Sequence, residues 1–213
     1  MCQDLPKEML YPRSHGGLSA GLPQTTSSVG VWNLLGHSIL PDDELSGAFA
    51  WVIATHCNPG CEVFVPALGM GKAAFTRLLA DRFPHFSAPP AWLAAQGTAL
   101  GSTGALAEFD DLLQLLLDHA GHADEHHRQV AHVVATACMG NDHLWQDLGL
   151  SSRNSLSSLL ADHFPQLAAK NAGGMKWKKF LYKQLCERAG ILICKSPSCG
   201  ICCDYDKCFS PEN

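Results

Sequence analysis

Long apolar runs are missing from this chain of 213 residues. The longest, residues Ala48 to Ala54, is far shorter than the roughly 20 residues that cross a bilayer, so no membrane span is expected. The first thirty residues also lack a basic start followed by an apolar stretch, and the expectation is a cytoplasmic protein. Positive charge is scarce where most of the chain lies. Residues 1–169 hold seven Lys/Arg against sixteen Asp/Glu, a surface that repels phosphate and excludes ordinary nucleic-acid binding. Alternating strand patterns of useful length are absent, and so are a serine–histidine–acid order and a dinucleotide fingerprint. The stretch Gly69-Met-Gly71-Lys72-Ala73 has part of a phosphate loop, but Pro66 stands at the first glycine position and Ala73 replaces the magnesium-binding hydroxyl. Nothing here assembles an acid, a base or a nucleophile, so the expectation is a protein that is not an enzyme.

What remains is helical. Leu106 to His119 has Glu108, Asp110 and Asp111 in its early turns and Gly121 beyond its end. Asp124 to Met139 places Val130, Val133, Val134, Ala137 and Cys138 on one face, and Gly140 closes it. Ser152 to Phe164 stops at Pro165. Met175 to Arg188 puts Trp177, Phe180, Leu181 and Leu185 on one face, with Gly190 after it. Residues 1–30, rich in Gly, Ser, Thr and Pro, read as a flexible tail, and residues 87–104 as a connector.

A repeat underlies the pattern. Ala50-Trp-Val-Ile-Ala-Thr-His-Cys57 aligns with Ala131-His-Val-Val-Ala-Thr-Ala-Cys138 at an offset of 81, and Leu78-Leu-Ala-Asp-Arg-Phe-Pro84 aligns with Leu159-Leu-Ala-Asp-His-Phe-Pro165 at the same offset. The expected fold is therefore all-α. It has duplicated helical units over residues 31–170, then a basic helix and an irregular cysteine-rich metal-binding loop over residues 171–213.

That loop concentrates the chemistry. Five of the ten cysteines fall in residues 194–208, spaced C-x4-C-x2-C-x5-C as Cys194, Cys199, Cys202 and Cys208, with Cys203 as an extra thiol. Thiolates are soft ligands suited to iron–sulfur clusters, zinc and copper(I). Crowding all four into one loop is closer to ferredoxin usage than to the paired knuckles of structural zinc. On the residues alone, three readings stay open: a sulfur cluster, a zinc site, or a thiol-rich tail with no centre. Cys203 adjoins Cys202, and neighbours seldom both reach one ion, so it is treated as a spare. The basic block Lys170, Lys176, Lys178, Lys179, Lys183, Arg188 and Lys195 faces only Glu187 in residues 170–195. It reads as a solvated lysine face or as compensation for an anionic cluster, an oxyanion or an acidic partner. His119, His122, His126, His127, His132 and His143 crowd the middle of the chain and read as polar helix surface, with metal binding the alternative. His56, Cys57 and Cys61 form a smaller thiol–imidazole group. Cys57 and Cys138 hold equivalent positions of the repeat and read as core packing.

Three segments carry a resemblance: Ala137-Cys-Met-Gly-Asn-Asp-His-Leu-Trp-Gln-Asp-Leu-Gly-Leu150, then Met175-Lys-Trp-Lys-Lys-Phe-Leu-Tyr-Lys-Gln-Leu-Cys186, then the cysteine loop ending Cys208-Phe-Ser-Pro-Glu212. From roughly Leu106 onward the chain resembles the nitrogen-fixation NifQ family. The resemblance implies a molybdenum–iron–sulfur cluster held by Cys194, Cys199, Cys202 and Cys208. It implies a carrier that takes molybdenum from a molybdate source and supplies it for the nitrogenase iron–molybdenum cofactor. The implied partners are the nitrogenase iron protein and the cofactor-assembly scaffold. The rival expectations are an iron–sulfur electron-transfer protein and a zinc-stabilised interaction module.

Overall fold

The computed structural model describes residues 29–97, 103–190 and 205–212, with the side chains of residues 103–106 left aside. Among the described residues there are eleven α-helices and no strand. The chain divides into two units, residues 1–101 and 102–213.

The first unit holds α1 (Val31–Leu35), α2 (Glu44–His56), a 3₁₀ turn (Pro66–Gly69), α3 (Lys72–Arg82) and α4 (Pro90–Ala95). The carboxylate of Asp43 starts α2 by accepting the Ser46 N–H at 2.9 Å, which satisfies one of the donors a helix start leaves open. Phe49, Val52 and Ile53 of α2 are buried with Phe75 and Leu78 of α3 and Trp92 of α4. The helix α4 lies inside the 87–104 stretch expected to be a connector. Pro90 opens it, where its missing N–H costs nothing, and Trp92 anchors it in the core. The next turn brings Gln96 inside. Its Oε1 accepts the Ala67 N–H at 2.7 Å and its Nε2 donates to the Cys57 carbonyl at 2.8 Å. At the other end of the unit, Val29 is buried and exchanges two 2.8 Å hydrogen bonds with Asn58.

The second unit holds α5 (Thr103–Asp118), α6 (Glu125–Cys138), α7 (Leu144–Asp147), α8 (Arg153–His163), α9 (Pro165–Lys170), α10 (Trp177–Arg188) and α11 (Tyr205–Phe209). Asp124 caps α6 as Asp43 caps α2, accepting the His127 N–H at 2.8 Å. The expectation of one buried face on α6 is too modest, because every residue from Gln129 to Cys138 is buried. Small side chains at Ala131, Ala135 and Ala137 are among them, and the helix runs through the interior of the unit. Pro165 ends α8 as expected, yet it also opens α9 from its first helical position. Around α10, the Trp177 indole donates to Ser157 Oγ at 3.1 Å, and Asn171 exchanges two 2.9 Å bonds with Met175.

Local geometry recurs between the units at the repeat offset. The residues after α3 and α8, Phe83 and Phe164, have φ/ψ of −131°/62° and −133°/58°. The turns that precede α3 and α8 differ: Ala67, Leu68 and Gly69 are all left-handed in the first unit, with φ of 52°, 52° and 69°, against Gly149 alone, at 66°, in the matching turn of the second.

Candidate metal centre

Of the four expected ligands, Cys194, Cys199 and Cys202 lie outside the described residues, as does Cys203. Cys208 is described, on the short helix α11 and not in irregular chain. That turn forms because Tyr205 and Phe209, four apart, stack their rings at 4.4 Å, and the Ser210 N–H closes onto the Asp206 carbonyl at 2.9 Å. The backbone around the thiol is fixed from α10: the Lys176 N–H donates to the Cys208 carbonyl at 2.8 Å. One turn along, exposed Lys179 places Nζ 3.9 Å from Cys208 Sγ. A partly exposed thiol beside an ammonium group suits a sulfur donor to an anionic centre.

The neighbouring lysine does different work. Lys178 Nζ donates to the Gly140 carbonyl at 2.7 Å and to the Asp147 carboxylate, so the start of α10 is locked onto the α6–α7 turn. Asp147 is mostly buried, and its desolvation holds its carboxyl above the usual range while the Lys178 pair opposes that shift. Gly140 has to be glycine for space: a Cβ there would stand 2.6 Å from Asp147 Cγ. The tail beyond Cys208 is held too, by Glu212, whose side chain is 2% exposed between His143 and Arg153. Arg153 in turn donates to the Gly174 carbonyl at 2.6 Å and the Met175 carbonyl at 3.0 Å. Lower on α10, the Tyr182 hydroxyl donates to Glu108 of α5, and Arg188 pairs with Asp118 at 2.6 Å. Burial and that carboxylate push the Tyr182 hydroxyl up, whereas hydrogen bonds from Gln114 and Arg188 hold Asp118 below the usual carboxylate range.

Of the other described thiols, Cys61 and Cys186 are half-buried and two are core. Cys57 and Cys138 are buried, and desolvation pushes each up to about 12. Cys57 Sγ also donates to the Val65 carbonyl at 3.3 Å, while His56 Nδ1 lies 2.8 Å from Thr55 Oγ1. The histidines separate. His119 is bound to the Leu115 carbonyl and Lys170, His132 is buried beside Phe109, and His143 faces Glu212. His122, His126 and His127 gather with His163, which sequence reasoning missed. The signal was in the repeat, where His163 replaces Arg82 of the first copy. Among the described residues no three His, Cys, Asp or Glu side chains are already arranged to hold a metal ion.

A family model described as NifQ matches residues 48–210. "Protein NifQ" of Azotobacter vinelandii is 40% identical over 161 residues, 68% of this chain and 78% of that protein. "Protein NifQ" of Rhodobacter capsulatus is 46% identical over 98 residues, 46% of this chain and 54% of that protein. The "Protein NifQ homolog" of Sinorhizobium fredii is 46% identical over 95 residues, 45% of this chain and 41% of that protein. No solved structure matches the chain. No described helix is long and apolar enough to cross a membrane.

Proposed function

Because the chain belongs to the NifQ family, we propose that it is a carrier of a molybdenum–iron–sulfur cluster and supplies molybdenum for biosynthesis of the nitrogenase iron–molybdenum cofactor. The cluster is cargo, held by Cys194, Cys199, Cys202 and Cys208. Thiolates would bind the iron–sulfur part, and sulfide-rich surroundings suit molybdenum once it has left its oxyanion form. The observation that carries the reading is the placement of Cys208 within a family-matched segment. Its backbone is pinned by Lys176 and its sulfur lies beside the ammonium of Lys179. A cation there offsets the negative charge that thiolate-bound clusters carry. The protein acts in the cytoplasm by docking, as a carrier and not as a catalyst. The nitrogenase iron protein and the cofactor-assembly scaffold are its partners, and molybdate is its ultimate source. We also read the helical body as a duplicated unit. This is supported by the matching caps Asp43 and Asp124 and the matching exits Phe83 and Phe164.

The test is metal and sulfide content of protein purified without oxygen from cells supplied with molybdate. Iron, acid-labile sulfide and molybdenum together support the carrier. Iron and sulfide that never acquire molybdenum point to electron transfer. Zinc alone, without sulfide, points to a structural module and overturns the proposal. Cys208→Ser should lose the cluster and keep its helical circular dichroism.

A further inference from the structure

Four imidazoles meet where the α5–α6 connector, the first turn of α6 and the end of α8 come together. His122 comes from the connector, His126 and His127 from α6, and His163 from α8. Their ring centroids are separated by 5.2 Å (His126–His163), 5.2 Å (His127–His163), 5.5 Å (His126–His127) and 5.1 Å (His122–His127). The ring planes are inclined at 50° to 83°, so no two stack. Two imidazoles bound through nitrogen to one tetrahedral ion, at about 2.0–2.1 Å each, bring their centroids about 5 Å apart. The three rings of His126, His127 and His163 thus already have the mutual spacing of a tripod.

The chain around them is braced. The Gly121 N–H donates to the His163 carbonyl at 2.8 Å, tying the connector to the end of α8. Asp124 Oδ1 lies 2.8 Å from His127 Nδ1. When Nδ1–H donates to that carboxylate, Nε2 keeps its lone pair, the carboxylate–imidazole pairing that orients metal ligands. The four donor sets do not yet point to one place. An imidazole's centroid lies close to its Cβ–Cγ axis, so rotation about that bond changes which nitrogen faces inward and leaves the centroid nearly where it was. Closure round an ion therefore needs ring rotation and no movement of the chain.

Charge decides which kind of ion. Asp124 and Glu125 stand at the start of α6; Asp124 accepts the His127 N–H there, and Glu125 pairs with Arg128 at 3.5 Å. Carboxylates beside imidazole nitrogens disfavour molybdate and suit a borderline divalent cation. We propose that His126, His127 and His163, joined by His122, form a second site for one divalent first-row transition ion. This site takes no ligand from the cysteines and bridges the α5–α6 connector, α6 and α8. It does not depend on the carrier reading.

The test is a titration of the full chain with Co²⁺ alone, followed by its visible spectrum. The paired variant His126→Gln with His163→Gln and the single variant His122→Gln at an exposed position are compared with the parent. The difference between parent and paired variant should be one equivalent of Co²⁺ with d–d bands and no sulfur-to-cobalt charge-transfer band. His122→Gln should weaken that equivalent several-fold while circular dichroism stays that of the parent. Equal stoichiometry in parent and variants overturns the proposal, as does a difference spectrum of sulfur type. Molybdate binding that the same variants abolish, in the absence of Co²⁺ binding, overturns the choice of a cation. The cysteine loop is intact in every variant, so loss of the cluster and loss of this site are read separately.

Discussion

Glu212 sets its carboxylate between His143, just before α7, and the Arg153 guanidinium of α8, with Oε1 3.4 Å from His143 Nδ1 and Oε2 3.8 Å from Arg153 Nε. Oε2 has no hydrogen bond in that position, so the tie to Arg153 is one of charge at longer range. Four residues earlier, Cys208 is held by the Lys176 N–H. The two ties together fix the far end of the thiol segment to the body.

Glu212→Gln should therefore free the tail without unfolding the unit. Removing the charge from a nearly buried ion pair weakens local docking by about 1–3 kcal/mol. Hydrogen exchange over residues 205–212 should rise about fivefold or more, while far-ultraviolet circular dichroism is unchanged. Iron retained after brief exposure to a chelator should fall in parallel. Unchanged exchange in this segment would show that the charge tie does not hold the tail.

Lys178 and Asp147 form the tighter lock. Lys178→Met leaves a mostly buried carboxylate without its cation, a loss of about 3–5 kcal/mol by the usual cost of breaking such a pair. The pH dependence has a definite sign. Burial raises the folded-state carboxyl of Asp147 above its unfolded value, so its contribution to stability is present at low pH and is lost as pH rises through the raised value. Without Lys178 that shift grows. Chemical denaturation should show Lys178→Met more destabilised at pH 7 than at pH 4, and the added change Asp147→Leu should recover part of the loss. Equal destabilisation at both pH values would remove the buried charge as the cause.

How much of this was legible beforehand depends on the distance over which a residue acts. The starts of α6 and α8 could be read from Asp124 and Ser152, because a cap acts within its own helix turn. The stop near Gly140 could be read as well, but not the space that requires glycine there, which the approach of Asp147 from α7 takes away. Lys178 and Lys179 are adjacent in one basic run and look alike in the sequence. They point about 100° apart on the helix, so one is committed to a buried pair and the other stands beside Cys208. His163 was invisible as a partner of His126 because their meeting is made by the packing of α8 on the start of α6. The connector hid α4 because proline and glycine mark loops in general, whereas Trp92 supplies the burial that turns this one into a helix.

Buried thiols give a third prediction. At pH 8, a cysteine whose thiol is pushed up to about 12 is thiolate in only about one part in 10⁴. Cys57 and Cys138 should resist iodoacetamide in the folded metal-free chain and react only in denaturant, as read by mass spectrometry of the peptides. Prompt labelling of either one would mean that its unit opens far more often than its packing implies.

Lys179 tests the electrostatics of the proposed cluster site directly. Its ammonium lies 3.9 Å from Cys208 Sγ and is exposed, so water and salt screen most of the Coulomb attraction. A contribution of about 0.5–1 kcal/mol follows, equal to roughly a two- to fivefold change in a rate. Lys179→Ala should speed removal of iron by a chelator by about that factor at low salt. Lys179→Glu should speed it more, because attraction becomes repulsion. Added salt should bring Lys179→Ala and the parent together, since only the screened charge separates them. If the gap persists at high salt, Lys179 acts through packing of α11 against α10. Its charge would then have no part in holding the cargo.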